Sequence, residues 1–142
     1  MRSFTLKIIE VDSDFYEGEC VSLVIPTVDG SYGIMSGHSN LITGIVAGEL
    51  KYRTKEEEDF RIVSVSRGLC KVEEGEVLVL VDSAENLADI DINRAEREAR
   101  EAQEILNQKS SLKEYLVART QLDRSLNRVR LHAKYNNDLF GD

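Results

Sequence analysis

The hydrophobic pattern of this chain changes period once, near residue 86, from alternation to a helical repeat. One layer cannot satisfy both periods, so the chain must build a β part followed by a helical part. Before the switch, Phe4, Leu6 and Ile8 alternate with Thr5 and Lys7. Val21, Leu23 and Ile25 then alternate with Cys20, Ser22 and Val24 until Pro26 closes the run. Further strand-like pieces are Glu49–Arg53, Phe60–Ser66, Leu69–Val72 and Glu76–Asp82. Asp29-Gly30, Ser36-Gly37, Arg67-Gly68 and Glu74-Gly75 supply turns between them. The run Glu56-Glu57-Glu58-Asp59 reads as the solvated acidic tip of a hairpin. Short strands punctuated every roughly 8–12 residues predict an all-β sandwich or flattened barrel over residues 1–86. Helical crossovers are absent there, so the pairing should be mostly antiparallel.

From Asp89 onward, Ile92, Ala95, Ala99, Ala102 and Leu106 recur at three- and four-residue steps. Asp89 or Asp91 can cap this helix, since a carboxylate accepts its free amides and suits its positive end. Asn107-Gln108-Lys109-Ser110 interrupts the pattern. Ser111 and Glu114 then form a capping box that opens a second helix, running to about Tyr135. Its apolar face is read as Tyr115, Ala118, Leu122, Leu126, Val129 and Ala133. Residues 87–142 are thus predicted to form an antiparallel two-helix hairpin in which the alanines of the first helix allow close approach. Such a hairpin has little core of its own, so it must lean on the β-domain, a ligand or another protein.

Charge divides at the same place. Residues 1–86 hold 8 basic and 16 acidic side chains, whereas residues 87–142 hold 10 of each. Within the second helix, Lys113, Arg119, Arg124, Arg128, Arg130 and Lys134 face only two acidic residues. That basic surface suits an acidic partner or a phosphate, and Arg124 and Arg128 are expected to point away from the apolar face. The overall charge of −8 argues against nucleic-acid binding. No apolar run approaches the length of a membrane-spanning helix, and the N-terminus lacks a signal core, so the expectation is a cytoplasmic protein. Two cysteines (Cys20, Cys70) and two histidines (His38, His132) lack zinc-ligand spacing, and the cysteines are read as buried small hydrophobes. Ser36-Gly37-His38-Ser39 juxtaposes serines and a histidine, but a turn of small residues explains it better than a nucleophile with its base. Gly30-Ser31-Tyr32-Gly33 lacks the lysine of a phosphate loop. A binding or structural protein is expected, not an enzyme.

One stretch is more specific. Ile25-Pro26-Thr27 through Asp29-Gly30-Ser31-Tyr32-Gly33-Ile34-Met35-Ser36-Gly37-His38-Ser39-Asn40-Leu41-Ile42-Thr43 resembles the P-x-x-x-G-x-x-G-I-x-x-G-H-x-P-L-x-T stretch of the epsilon subunit of bacterial F-type ATP synthase. Gly48-Glu49-Leu50, Arg67-Gly68, Val81-Asp82-Ser83-Ala84-Glu85 and Asp89-Ile90-Asp91-Ile92-Asn93-Arg94-Ala95 are similar to the same family in order. The resemblance implies a sandwich of about ten strands and a C-terminal helical hairpin. It implies a non-catalytic rotor subunit of the central stalk in a proton-translocating synthase, on the cytoplasmic face of the bacterial membrane. Gly30, Ser31, Tyr32, Gly33 and His38 match the region facing the gamma subunit and the c-ring. The hairpin would restrain ATP hydrolysis, with Arg119, Arg124, Arg128, Arg130 and Lys134 meeting an acidic segment of the beta subunits of the alpha/beta head.

Some members also bind ATP as a regulatory ligand, and the matching positions are Glu85, Asp91, Arg94, Arg124 and Arg128; no cofactor is otherwise required. Planar guanidinium donors suit phosphate oxygens. Equally, Asp91 is a good helix cap and Arg94 can pair with it or with Glu98. Glu101 stands where strong ATP binders carry arginine, and Ser31 where many members have a glutamate. A stand-alone ATP-sensing module is the alternative reading.

Overall fold

The computed structural model describes residues 2–108 and 111–140. It contains ten strands: β1 (Phe4–Glu10), β2 (Ser13–Cys20), β3 (Ser22–Thr27), β4 (Gly30–Met35), β5 (Leu41–Ile45), β6 (Gly48–Arg53), β7 (Arg61–Val65), β8 (Gly68–Glu73), β9 (Glu76–Val81) and β10 (Ala84–Asn86). They form two five-stranded sheets, ordered β2-β1-β9-β8-β5 and β10-β7-β6-β3-β4. This is the expected β-sandwich, followed by the expected pair of helices. The strand pairs are antiparallel except β1 with β9, which run parallel with Leu6 beside Val77 and Ile8 beside Val79. Between the sheets, Leu6, Ile8, Leu23, Ile25, Ile34, Leu50, Val63 and Val79 are fully buried. The chain divides into two compact units, residues 1–86 and 87–142.

The run Cys20–Ile25 is not one strand. Cys20 ends β2 in one sheet and Ser22 begins β3 in the other, so the chain changes sheet at Val21. A residue at such a crossing lies between layers, which is why Cys20, Val21 and Leu23 are all buried. Strands β2, β4, β5 and β10 escape a reading by hydrophobic alternation. Their residues include Asp14, Glu17, Glu19, Gly30, Gly33 and Gly44, and their pairing comes from register with a neighbour rather than from propensity. One turn does follow directly from its residues. Glu74 and Gly75 both have positive φ (47° and 83°) and join β8 to β9, the backbone that a two-residue type I′ turn requires.

The second unit opens with a single 3-10 turn, Leu87–Asp89, followed by helices α1 (Ile92–Leu106) and α2 (Leu112–Phe140). Asp91, not Asp89, is the cap: its carboxylate accepts the Arg94 amide at 3.1 Å. Ser111 Oγ accepts the Glu114 amide at 3.2 Å at the start of α2. Lys109 and Ser110 of the expected interruption lie outside the described residues. Helix α2 continues past Tyr135. Its buried residues also differ from the expected face. Ala118 and Leu122 are buried, but Tyr115 and Leu126 are 44% and 39% exposed, while Ser125, Asn127 and Leu131 are buried. At 100° per residue, Asn127 and Leu131 lie on the side of α2 opposite Leu122, so no single-face pattern describes the buried residues of this half.

Candidate functional site

The α1–α2 pair holds a bridged charge cluster. Arg94 sits one turn before Glu98 on α1, and its Nε donates to Glu98 Oε1 at 2.8 Å. The other oxygen, Oε2, accepts from the Arg128 guanidinium of α2 at 3.2 Å. The side chains of Glu98 and Arg128 are each only 19% exposed, so this contact is shielded from water. Arg128 therefore does not point outward with the solvated charges, as its position in the basic pattern suggested. It turns toward α1 because an acceptor lies there. Sequence spacing exposes Arg94–Glu98 as an i,i+4 pair, but the reach of Glu98 to the second helix depends on how the two helices are staggered.

Of the residues matched to nucleotide binding, the structure thus links Arg94 and Arg128 through a shared carboxylate. Asp91 is used as the cap of α1. Arg124 lies one turn from Arg128 and is half-buried. Its Nε is out of water and has no hydrogen-bond partner among the described residues. Glu85 lies on β10 of the first unit, opposite Ser64 of β7. Glu101 is exposed on α1, beside a groove of about 630 Å³ that Lys113, Val117 and Ala118 of α2 also line. A phosphate placed on this cluster would find one orphaned guanidinium nitrogen at Arg124, and would have to displace Glu98 from Arg94 and Arg128.

The basic residues of α2 fall into two sets. Arg119, Arg130 and Lys134 are exposed; Arg119 pairs with Asp123 at 3.5 Å, and Lys134 lies over the Tyr135 ring. Arg124 and Arg128 are half-buried. Near the start of α2 the helix exposes Leu112, Tyr115, Leu116 and Val117, by 44% to 73%. Among the described residues the helices bury Leu122, Leu131 and three alanines, Ala95, Ala102 and Ala118.

On the first unit, Gly30, Ser31, Tyr32 and Gly33 are exposed on β4. His38 follows in the next loop, locked on both ring nitrogens. Nε2 accepts from the Tyr32 hydroxyl at 2.7 Å, and Nδ1 donates to the Ser39 carbonyl at 2.7 Å. With both nitrogens engaged, His38 is not placed to activate Ser36 or Ser39. Cys20 and Cys70 are free and buried, and burial pushes each thiol up to about 11. Among the described residues no three His, Cys, Asp or Glu side chains converge as a metal site. No described helix is long and apolar enough to cross a membrane.

The chain is similar to known proteins in family, sequence and fold. The family model for the ATP synthase delta/epsilon chain β-sandwich domain matches residues 3–87, and that for the delta/epsilon chain long α-helix domain matches residues 88–132. The ATP synthase epsilon chain of Ruminococcus albus is 33% identical over 135 residues, covering 94% of this chain and 99% of the relative. That of Caldanaerobacter subterraneus subsp. tengcongensis is also 33% identical over 135 residues, covering 94% and 96%. Among solved structures, a chain of the Euglena gracilis mitochondrial ATP synthase OSCP/F1/c-ring superimposes with a TM-score of 0.72 at 19% identity, covering 89% of this chain and 79% of that one. A chain of the Tetrahymena thermophila mitochondrial ATP synthase central stalk/c-ring gives 0.62 at 13% identity, covering 92% and 94%. At those identities the likeness is one of fold.

Proposed function

The chain belongs to the ATP synthase delta/epsilon family as an epsilon chain, a non-catalytic subunit of that complex, and from this premise we propose that it serves in the central stalk as a rotor component whose helical hairpin restrains ATP hydrolysis. The β-sandwich is the seat, held against the gamma subunit and the c-ring through the β4 region and His38. The hairpin is the moving part, docking on the alpha/beta head through Arg119, Arg130 and Lys134. The complex, and this subunit with it, lies at the cytoplasmic face of the membrane.

One observation carries the regulatory half of this reading. Among the described residues the two helices bury Ala95, Ala102, Ala118, Leu122 and Leu131, a thin core, yet expose Leu112, Tyr115, Leu116 and Val117 near the start of α2. Helices packed this way have modest stability of their own and can exchange docking partners at small free-energy cost. Arg124 and Arg128 join the contact with the head only once Arg128 leaves Glu98. Co-purification tests the seat: a gamma-containing stalk assembly should retain the full chain through gel filtration, and failure to retain it overturns the assignment.

The orphaned Nε of Arg124 favours a second role for the same hairpin, binding ATP as a regulatory ligand beside Arg94, Arg128 and Asp91. Glu98 opposes it by already holding two of the arginines. Calorimetric titration decides between them. Heat and a raised melting temperature with ATP support the ligand role, and neither signal at millimolar ATP removes it.

A further inference from the structure

Strand β4 lies at the edge of its sheet and, among the described residues, pairs with β3 alone. Register determines which of its backbone groups are left over. On β3, Pro26 has no N–H, and its carbonyl accepts the Val46 amide at 3.1 Å, on the β6 side. Backbone polar groups alternate in direction along a strand, so Val24 and Pro26 both face β6. Their opposites in the β3–β4 pair, Gly33 and Ser31, then turn N–H and C=O outward. Met35 belongs to the same set, but its carbonyl accepts the His38 amide at 3.2 Å. Ser31 and Gly33 are left as an open ladder.

Folded proteins blunt such edges with charge, proline or a covering segment. Here none is present among the residues of β4. Residues 30–48 contain no Asp, Glu, Lys or Arg, in a chain where those types make up 31%. Within that stretch Tyr32, Met35 and Ile42 are 37%, 60% and 68% exposed. A Cβ added to Gly33 would meet nothing within 4 Å, so the sheet face over that position is open as well. Depletion of charge with exposed aromatic, Met and aliphatic side chains is the composition of an interface core, and an open ladder fits only another extended backbone.

We propose that the outer edge of β4 accepts an extended, uncharged segment of the gamma subunit as an added strand, held by main-chain hydrogen bonds to Ser31 and Gly33. This rests on the assignment of the β4 region to the stalk contact. The added strand extends the five-stranded sheet to six. Because no ion pair takes part, the attachment is insensitive to salt.

Gly33 makes the test clean. Its φ is not positive and its surroundings are open, so alanine fits there, and proline removes only an N–H that faces outward, a position where edge strands tolerate it. Affinity for a gamma-containing F1 assembly lacking epsilon is measured for the full chain, Gly33→Ala and Gly33→Pro, with melting temperatures alongside. Gly33→Ala should bind within about threefold of the parent, and Gly33→Pro should bind roughly 10–100-fold more weakly with an unchanged melt, because the partner's carbonyl loses its donor. Raising salt from about 0.1 to 0.5 M should change parent affinity less than about threefold. Proline binding like alanine, or affinity collapsing with salt, overturns strand addition while leaving the stalk assignment standing. A parent chain that does not bind overturns both. Hydrogen exchange gives a readout independent of any variant: the Ser31 and Gly33 amides should exchange freely in the chain alone and become protected in the assembly. Free exchange in the assembly contradicts the proposal, as does a dimer of the chain alone that Gly33→Pro dissolves.

Discussion

Gly68 shows how tightly single positions are held. A Cβ there would collide with the Leu80 carbonyl on the neighbouring strand β9, and backbone cannot step aside as a side-chain tip can. Gly68→Ala is expected to destabilise the β-unit by roughly 2–3 kcal/mol, read from a denaturant midpoint. The thiols of Cys20 and Cys70 make a second test. Burial keeps each neutral in the fold up to about pH 11, whereas an unfolded thiol ionises near 9. Above pH 9 the unfolded chain therefore binds fewer protons, so stability should be flat below that pH and fall between 9 and 11, by on the order of 2–3 kcal/mol per thiol. A Cys→Ser pair that keeps the same alkaline slope would contradict this cause. Burial of both cysteines was legible from their strand-like settings. The close approach at Gly68 was not, because Arg67-Gly68 reads as a turn until the neighbouring strand is in place.

Among the elements, the helices were the most legible and the strands the least. Asp91 as cap follows from its place before the first apolar-periodic residue, and Asp91→Ala should cost about 1 kcal/mol of helical-unit stability by circular dichroism. The Glu98 bridge was half visible, as an i,i+4 partner for Arg94, while its contact with Arg128 arises only from the helix pairing. Glu98→Gln should loosen α1 from α2 more than Asp91→Ala does, by roughly 1–2 kcal/mol, since it leaves two guanidinium groups short of charge at a contact mostly shielded from water. If the cluster also receives phosphate, that variant should bind ATP more tightly than the parent. Weaker binding would mean that Glu98 positions the arginines rather than competing for them. Strands such as β2 and β4 stayed hidden because acidic residues and glycines carry little β-propensity; they are strands because β1 and β3 offer them a ladder.

Taken whole, the chain couples a sandwich with its own dense core to a hairpin with a thin one. The boundary between their patterns is written in the period change near residue 86 and in the charge, with 16 acidic residues against 8 basic before it and 10 of each after it. The sandwich was legible as a class, but its strand order was not, because the parallel β1–β9 pair joins segments some 70 residues apart in sequence. The motif stretch from Pro26 to Thr43 pointed to the rim proposed here to face the stalk, and only the register of β3 and β4 showed how its backbone is oriented. The division of labour makes a direct demand on function. Reconstituting the synthase with the full chain and with a chain ending at Leu87, and measuring ATP hydrolysis in each, tests it most squarely. Both complexes should assemble, and the shortened one should hydrolyse ATP several-fold faster; equal rates, or a shortened chain that no longer assembles, would contradict a regulatory hairpin on an independent seat.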